Sequence, residues 1–241
     1  MRNLEDQIAV ITGASSGIGK AIALGLAAQG TRLCLFGRKL ETLEEVAGCA
    51  RSTTRYTKCY QVDLMLDKEI MEAVDRLKQD FGHVDILIHS AGVISQGRFE
   101  DAPAEDFDWQ YKINVLAPFV LTQALLPIMR SCKGQVVFIN SSAGLNARAN
   151  VGQYAATKHA LKAVADSLRE EVNADGLRVL SVFLGRTATP MQEAVHKMEG
   201  RKYHPDYLMQ PDDVASVVIN ALSLPRTAEV TDISIRPLRK S

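Results

Sequence analysis

Residues 8–19 read IAVITGASSGIG. The apolar run Ile8–Ile11 stops at a glycine-rich segment, which is typical of a short strand buried on both faces of a parallel sheet. Apolar residues at helical spacing follow from Ala21 to Ala27, and this pattern ends at Gly30. The sequence therefore predicts a strand, a glycine turn and a helix in direct succession.

The turn has the spacing G-x-x-x-G-x-G, formed by Gly13, Gly17 and Gly19. Glycine allows the backbone to turn tightly and to approach a pyrophosphate closely. The N-terminus of the following helix offers free amides and the positive end of the helix dipole to phosphates. We interpret the turn as a nucleotide-binding loop; the alternative is a glycine-rich turn that binds nothing.

The rest of the chain alternates apolar runs with helical patterns. Further strands are predicted at Leu33–Phe36, Cys59–Val62, Val84–Ile88, Val136–Ile139, Val179–Phe183 and Val230–Ile235. Helices are predicted over residues 40–50, 68–81, 104–130 and 151–173 and from Pro211 onward, with a loop containing short helical pieces over 185–210. This alternation predicts an α/β fold, a three-layer doubly wound parallel sheet of about seven strands. No linker or repeat interrupts it, so residues 1–241 are expected to form one domain.

Composition excludes several classes of protein. Of 241 residues, 46% are hydrophobic and 23% charged, and Lys plus Arg equals Asp plus Glu at 28 each. We therefore expect neither a nucleic-acid nor a membrane partner. The start Met1–Asp6 carries acids where a signal peptide needs an apolar run, and the apolar stretch Ile113–Met129 is broken by polar residues. Scattered cysteines and histidines without metal spacing predict a cytoplasmic protein with reduced thiols and no metal.

The residues after the second predicted strand bear on which dinucleotide binds. A ribose 2′-hydroxyl is usually held by an acidic side chain about 20 residues after the glycines. This chain instead has Phe36-Gly37-Arg38-Lys39, so no acid repels a phosphate there, and Arg38 can pair with one through two hydrogen bonds. We expect NADP(H) rather than NAD(H); the alternative is that Arg38 is an ordinary exposed residue before a helix.

A second segment, Gln153-Tyr154-Ala155-Ala156-Thr157-Lys158, places a phenol and an ammonium on one helix. Tyr154 and Lys158 are four residues apart, so their side chains share a helix face. Free tyrosine titrates near ~10, and a nearby cation lowers that pKa toward the range useful for acid–base chemistry. We expect an acid–base pair; the alternative is a solvated face on which the two residues meet by chance.

Three features together resemble the short-chain dehydrogenase/reductase family: the G-x-x-x-G-x-G turn, the Y-x-x-x-K pair at Tyr154 and Lys158, and a length of 241 residues. The resemblance extends from about Gln7 to the last predicted strand. It implies a Rossmann-type fold and reversible hydride transfer between a nicotinamide cofactor and a carbonyl or alcohol. It also implies a homodimer or homotetramer that associates through the two long helices.

The resemblance also implies which residues are catalytic. Tyr154 would exchange a proton with the substrate oxygen, while Lys158 would lower the Tyr154 pKa and hold the nicotinamide ribose. A serine after the fifth strand would hydrogen-bond the same oxygen, and an asparagine would hold a water that links the lysine to solvent. The four residues are Asn114, Ser141, Tyr154 and Lys158.

The serine has a close competitor. Ser141 lies 13 residues before Tyr154 and three residues before Gly144, which is the spacing of the family. Ser142 is adjacent and stays an alternative, and Ser141 could simply be a residue that ends the strand or lies in a turn. Asn114 could likewise cap a bend in its helix, because a proline follows closely.

The cofactor site implied by the resemblance extends beyond the glycine turn. Asp63 matches the acid that bonds the adenine amino group, although an acid in this place also often caps or turns. Two stretches depart from the family pattern: His89-Ser90-Ala91-Gly92 replaces Asn-Asn-Ala-Gly, so an asparagine brace is missing or replaced, and Leu184-Gly185 replaces Pro-Gly. The residues expected to contact the cofactor are Gly13, Ser15, Ser16, Gly17, Ile18, Gly19, Arg38, Asp63, Leu64, Ser90, Ala91, Gly92, Lys158, Gly185, Thr187 and Thr189.

The segment 186–210 is expected to cover the substrate. Its methionines, Met191, Met198 and Met209, are typical of an adaptable apolar wall. We expect a small apolar or amphipathic ketone or alcohol; a 3-oxoacyl thioester and a sugar or polyol are alternatives. A protein of another class, a catalytically silent nucleotide-binding regulator or scaffold of the same fold, is a further alternative, but the catalytic residues are all present, which favours an enzyme.

Overall fold

The computed structural model describes residues 4–54 and 56–239, and within them seven parallel strands form one sheet. The strands are β1 (Ile8–Thr12), β2 (Arg32–Gly37), β3 (Thr57–Gln61), β4 (Ile86–His89), β5 (Gln135–Ser141), β6 (Arg178–Leu184) and β7 (Asp232–Ile235). Their spatial order is β3-β2-β1-β4-β5-β6-β7. The predicted doubly wound parallel sheet is confirmed, with strand ends shifted by a residue or two.

Helices cover both faces of this sheet. They are α1 (Gly17–Ala27), α2 (Leu40–Ala50), α3 (Asp67–Phe81), α4 (Ala104–Tyr111), α5 (Ala117–Arg130), α6 (Gly152–Val172), α7 (Pro190–Met198) and α8 (Pro211–Leu222). Alternate residues of β1 enter two cores: Ala9 and Ile11 pack with α1, α2 and α8, whereas Ile8 and Val10 pack with α3, α5 and α6. Because neither face of the strand meets water, its apolar run is unbroken.

The region predicted as one helix over 104–130 is interrupted. Between α4 and α5 the chain forms a π-helical segment, Lys112–Leu116, which contains the buried Asn114. The prediction of a continuous α-helix is wrong here, because a π-helical turn holds an extra residue and changes which side chains face inward. Such turns occur frequently at functional sites.

The stretch Ala104–Arg130 is long and apolar enough to cross a membrane by length and composition alone. Half of its most apolar window is buried inside the protein. Leu121, Leu125 and Met129 are among these buried side chains and belong to the core beneath the sheet. The apolar character of the stretch is thus explained by packing.

The order of the strands places the crevice of the fold. Chain order reverses between β1 and β4, because β2 and β3 lie on one side of this pair and β5 to β7 on the other. All strands are parallel, so their carboxyl ends share one edge of the sheet. Ligands of open α/β sheets bind outside the carboxyl ends at such a reversal.

Candidate active site

A cleft of about 260 Å³ opens at this reversal and is lined by the glycine turn. Gly13 and Gly17 have φ angles of +65° and +52°, in the left-handed region that favours glycine. A Cβ at Gly13 would lie 2.8 Å from the Ala91 backbone, and one at Gly19 would lie 2.4 Å from the Gly13 carbonyl oxygen. The turn has room only for hydrogen at these positions, so its backbone borders the cleft directly. Ser15, Ser16 and Ile18 line the cleft as well.

The opposite wall of the cleft is the turn after β4. Thr12 fixes this turn, because its Oγ1 accepts hydrogen bonds from the backbone N–H groups of Ser90 and Ala91, each at 3.1 Å. The same hydroxyl donates to the Ile88 carbonyl at 3.4 Å. Thr12 therefore braces β1 against the end of β4, where the family pattern has an asparagine-rich turn. Ser90, Ala91 and Gly92 all line the cleft.

His89, the other departure in this turn, is a core side chain. It is 2% exposed, and its Nε2 lies 2.8 Å from Thr122 Oγ1. Its ring stacks on Phe138 with centroids 4.9 Å apart. Burial lowers the pKa of His89 to about 3, so the ring is neutral near pH 7. We assign it a packing role between the sheet and α5.

Arg38, Asp63 and Leu64 line the end of the cleft next to β2 and β3. Arg38 is exposed at this end of the cleft. Asp63 shapes its own turn: Oδ1 accepts from the Met65 N–H at 3.0 Å, and its N–H donates to Glu69 at 2.7 Å. Asp63 therefore does form a turn, which was the alternative considered from the sequence, and it also lines the cleft.

A second cavity of about 420 Å³ adjoins the cleft, and the two share Ile18, Ser90, Gly92, Thr189 and Met191. Three of the four residues expected to be catalytic line this inner cavity, although they come from two separate elements. They are Ser141 at the end of β5 and Tyr154 and Lys158 on α6.

The Tyr154–Lys158 pair occupies one face of α6. Lys158 is 4% exposed, donates from Nζ to the Ile139 carbonyl at 3.2 Å, and lies 5.8 Å from the centroid of the Tyr154 ring. Burial lowers the pKa of Lys158 to about 8, so the ammonium is mostly protonated at pH 7. Burial also raises the pKa of Tyr154, and the nearby Ser141 hydroxyl offsets this only in part. The expected lowering of the Tyr154 pKa is wrong for this structure, because loss of water penalises the phenolate more than its neighbours stabilise it.

Of the two adjacent serines, Ser141 is the one close to the phenol. It is half-buried, and its Oγ accepts a hydrogen bond from the Ala143 N–H at 3.1 Å. Ser142 is exposed and lines the same cavity, and its carbonyl accepts from Leu145 and Asn146 at 3.2 and 3.0 Å. The interaction with Tyr154 belongs to Ser141.

Asn114 lies behind this cavity rather than on its wall. Its Oδ1 accepts from the Val93 N–H at 2.9 Å, and its Nδ2 donates to the Val93 carbonyl at 2.9 Å and to Thr157 Oγ1 at 3.1 Å. A Cβ at Gly92 would stand 3.4 Å from Asn114 Oδ1 and 3.8 Å from Lys158 Nζ. The amide thus braces α6 against the turn after β4. Both of its side-chain N–H groups are engaged in these bonds.

Asn140 was not among the residues predicted from the sequence, yet it connects the two halves of the site. Its Nδ2 donates to the Lys158 carbonyl at 3.1 Å, and its Oδ1 accepts from the Ser141 N–H at 2.7 Å. A Cβ at Gly144 would lie 2.7 Å from Asn140 Oδ1, so the glycine leaves room for this bridge. One buried amide therefore fixes the backbone of Ser141 relative to the helix turn of Lys158. A polar residue that ends an apolar strand is a signal for such a role, because buried polar groups need partners.

The predicted cofactor residues after β6 border the inner cavity, and Thr189 also lines the cleft. Thr189 packs on the glycine turn, since a Cβ at Gly17 would lie 3.1 Å from its Cγ2. Thr189 also begins α7, where its hydroxyl accepts from the Gln192 N–H at 3.2 Å. Gly185 and Thr187 line the inner cavity. The segment therefore reaches from the end of β6 across the carboxyl edge of the sheet.

Arg186 fastens this segment at its far end. Its Nη2 donates to both carboxylate oxygens of Glu199, at 2.8 and 2.9 Å, and its Nη1 lies 3.4 Å from Nε2 of His196. Glu199 is the residue after α7, so the pair ties the end of that helix to the end of β6. A hydrogen bond between a guanidinium and a carboxylate is charge-assisted and roughly twice as strong as one between neutral groups.

The other reactive side chains of the protein are possible metal ligands and thiols. Among residues 4–54 and 56–239, no group of three or more His, Cys, Asp or Glu side chains is placed to hold a metal ion. The cysteines Cys34, Cys49, Cys59 and Cys132 are free thiols. Burial raises the pKa of Cys59 to about 12, so that thiol stays protonated. The chemistry that the cavities offer is that of a hydroxyl, a phenol and an ammonium.

Known proteins resemble this chain along its length. Residues 7–200 match a family model described as short chain dehydrogenase. An uncharacterised oxidoreductase of Staphylococcus epidermidis is 30% identical over 239 residues, which cover 99% of this chain and 100% of the relative.

Solved structures resemble it as well. An alcohol dehydrogenase from the archaeon Thermococcus sibiricus, complexed with 5-hydroxy-NADP, has a TM-score of 0.89 and 26% identity, covering 98% of this chain and 99% of that one. The L-sorbose reductase of Gluconobacter frateurii, complexed with NADPH and L-sorbose, has a TM-score of 0.88 and 26% identity, covering 97% and 96%. With its parallel sheet, its glycine turn and the match to the family model, the chain belongs to the short-chain dehydrogenase/reductase family of oxidoreductases.

Proposed function

We propose that the chain is an NADP-dependent enzyme that transfers a hydride between nicotinamide and the carbonyl or alcohol carbon of a small amphipathic substrate. The observation that carries this proposal is the convergence of Ser141, Tyr154 and Lys158 in a cavity continuous with the cleft of the glycine turn. The relatives crystallised with NADP-type cofactors support a nicotinamide in that cleft.

The residues of the cleft fit a dinucleotide. The backbone at Gly13 and Gly19 has no side chain to keep a pyrophosphate at a distance, and the first turn of α1 supplies amides to it. Lys158 is buried on the wall of the inner cavity, and a Cβ at Gly92, which lines both spaces, would lie 3.8 Å from its Nζ. Lys158 would hold the ribose next to the nicotinamide. When bound, the nicotinamide supplies or accepts the hydride.

Side chains of the protein itself donate and accept the proton. In the direction of reduction, Tyr154 donates its proton to the substrate oxygen. Its raised pKa keeps the phenol protonated near pH 7 but makes it a weaker acid than free tyrosine, so the transfer depends on the groups that stabilise the phenolate. Ser141 donates a hydrogen bond to the same oxygen and stabilises its developing charge. The Lys158 ammonium stabilises the phenolate that remains. Asn140 and Asn114 act as positioning residues through the bonds described above.

The test is an assay of the purified chain with NADPH and NADP⁺ against a panel of ketones, aldehydes and alcohols. We expect substrate-dependent changes in nicotinamide absorbance with at least one class of compound. A chain that binds NADPH tightly yet turns over none of them would contradict the proposal and favour a regulator or scaffold of the same fold.

Arg38 is the residue on which the cofactor preference depends. Loss of a charge-assisted hydrogen bond to the 2′-phosphate in Arg38→Ala should weaken NADPH binding by roughly 10- to 100-fold. NADH binding should be unchanged, because NADH has a hydroxyl in place of that phosphate. Titration of both cofactors by fluorescence measures the effect, with Arg51→Ala as the control, since Arg51 is exposed and pairs with Glu44 away from the cleft. Tighter binding of NADH than NADPH in the parent, unaffected by Arg38→Ala, would refute the preference.

A further inference from the structure

The inner cavity continues outward into a vestibule of about 650 Å³ whose walls carry arginine. The two spaces share Gln96, Ala149, Val151, Arg186 and Glu199, so they are continuous. Arginines from three separate parts of the sequence border them: the loop after β4, the loop before α6 and the segment after β6. They are Arg98 and Arg201 in the vestibule, Arg148 in the inner cavity, and Arg186 in both.

Negative charge does not balance these guanidinium groups. Within the described residues, Glu199 is the only acidic side chain that lines either space. It accepts from Arg186 at 2.8 Å and lies 3.6 Å from Arg201. Arg98 pairs at the surface with Glu100 at 2.6 Å. For Arg148 the described residues provide no ion pair, although the chain as a whole has a formal net charge of zero.

This positive charge is separate from the cofactor cleft. None of the four arginines lines the cleft of the glycine turn, where Arg38 is the arginine at the rim. Arg148 and Arg186 instead line the inner cavity together with Tyr154, and Arg98 and Arg201 line the vestibule beyond it. The cofactor phosphates therefore do not account for them.

We propose that the substrate carries an anionic group, a carboxylate or a phosphate, and that Arg148 binds it. This inference rests on the proposed function, because it names the substrate of the same site. A guanidinium group presents donors in a planar fork that matches two oxygens of such an anion. Arg186 and Arg201 both interact with Glu199 and leave a net positive charge at the entrance of the cavity. Arg148, in contrast, has no ion-pair partner among the described residues. The anion takes no part in the hydride transfer, which occurs at the carbonyl carbon.

The apolar walls of the inner cavity fit the uncharged part of such a substrate. Ile94, Val195 and Leu184 are apolar side chains that line the inner cavity and can contact a short hydrocarbon body. The proposed substrate is therefore amphipathic in a defined way. Its reacting carbonyl lies at Tyr154, its apolar middle contacts the cavity wall, and its negative end binds Arg148.

The test uses matched substrate pairs. A series of straight-chain oxo-carboxylates of increasing length is compared with the methyl esters of the same acids and with neutral sugars, using NADPH as reductant. We expect the carboxylate to exceed its ester in kcat/KM at one chain length. Arg148→Gln should lower kcat/KM for that carboxylate by roughly 10- to 100-fold, mainly through KM, and leave the ester unchanged. Arg148→Lys should recover part of the loss, and Arg51→Gln serves as the distant control.

A binding measurement separates this inference from the proposed function. Calorimetry of the same oxo-carboxylates with the NADP⁺ complex of Tyr154→Phe reports binding without turnover, because the oxidised cofactor has no hydride to transfer to a carbonyl. Binding that depends on Arg148 supports an anionic ligand even if the parent turns over nothing, in which case only the proposed function fails. Esters or neutral sugars favoured over carboxylates, or equal losses for acid and ester in Arg148→Gln, would overturn the inference.

Discussion

Tyr154→Phe is expected to reduce kcat by roughly 10²- to 10⁴-fold while leaving the affinity for NADPH unchanged. The substitution removes one hydroxyl and keeps the ring, so the packing of α6 is preserved. It removes the proton donor from a cavity in which Ser141 and Lys158 stay in place. Ser141 can still hydrogen-bond the substrate oxygen, which leaves some residual rate.

The measurement is steady-state turnover of the best substrate from the panel, together with a fluorescence titration of NADPH. Tyr111→Phe is the matched control, because Tyr111 is 46% exposed on α4 and lines neither the cleft nor the inner cavity. Turnover of Tyr154→Phe equal to that of the parent would show that the proposed mechanism is wrong, whatever the cofactor.

Gly19→Ala is expected to weaken NADPH binding on the order of 100-fold. The new Cβ would lie 2.4 Å from the Gly13 carbonyl oxygen, a backbone atom that cannot rotate away. The turn must therefore move or remain strained, and a strained residue of this kind costs about 1–3 kcal/mol. The glycine backbone would then no longer border the cleft in the same place.

Gly48→Ala is the control for this substitution. Gly48 lies inside α2, and a Cβ there would meet nothing within 4 Å. The same chemical change should leave NADPH binding intact and stabilise the fold by about 0.5–1 kcal/mol, as alanine does inside a helix. Thermal unfolding of both variants shows whether Gly19→Ala still folds. A folded Gly19→Ala protein with normal NADPH affinity would contradict the role given to the turn.

The fold was predictable because each of its signals is local. Ile8–Ile11 is apolar without a break because the strand is covered on both faces, and the same reason applies to Val136–Ile139 and Val179–Phe183. The interruption at Lys112–Leu116 was not predictable in this way. Its sequence, KINVL, has no glycine or proline, and one extra residue in a single turn is too small a change to show in the apolar spacing.

The site was predictable only in part, since much of it is made by contacts between distant parts of the chain. Tyr154 and Lys158 share a helix face, so their pairing follows from spacing. The direction in which the Tyr154 pKa shifts does not follow from spacing, because it depends on burial that the sequence does not show. The bridge made by Asn140 and the arginines around the vestibule likewise depend on tertiary packing.

The π-helical segment makes the site sensitive to chain length as well as to residue identity. A π-helical turn holds one residue more than an α-helical turn, so deleting any one residue of Lys112–Leu116 would restore a regular helix. Because the extra residue is contained in that one turn, α4 and α5 would keep their faces, and the change would fall on the segment itself. Its residues would be spaced anew along the helix, so the Asn114 side chain would lose its bonds to Val93 and Thr157. A single in-frame codon deletion here would thus remove the brace between α6 and the turn after β4 with Tyr154, Lys158 and the glycine turn all intact.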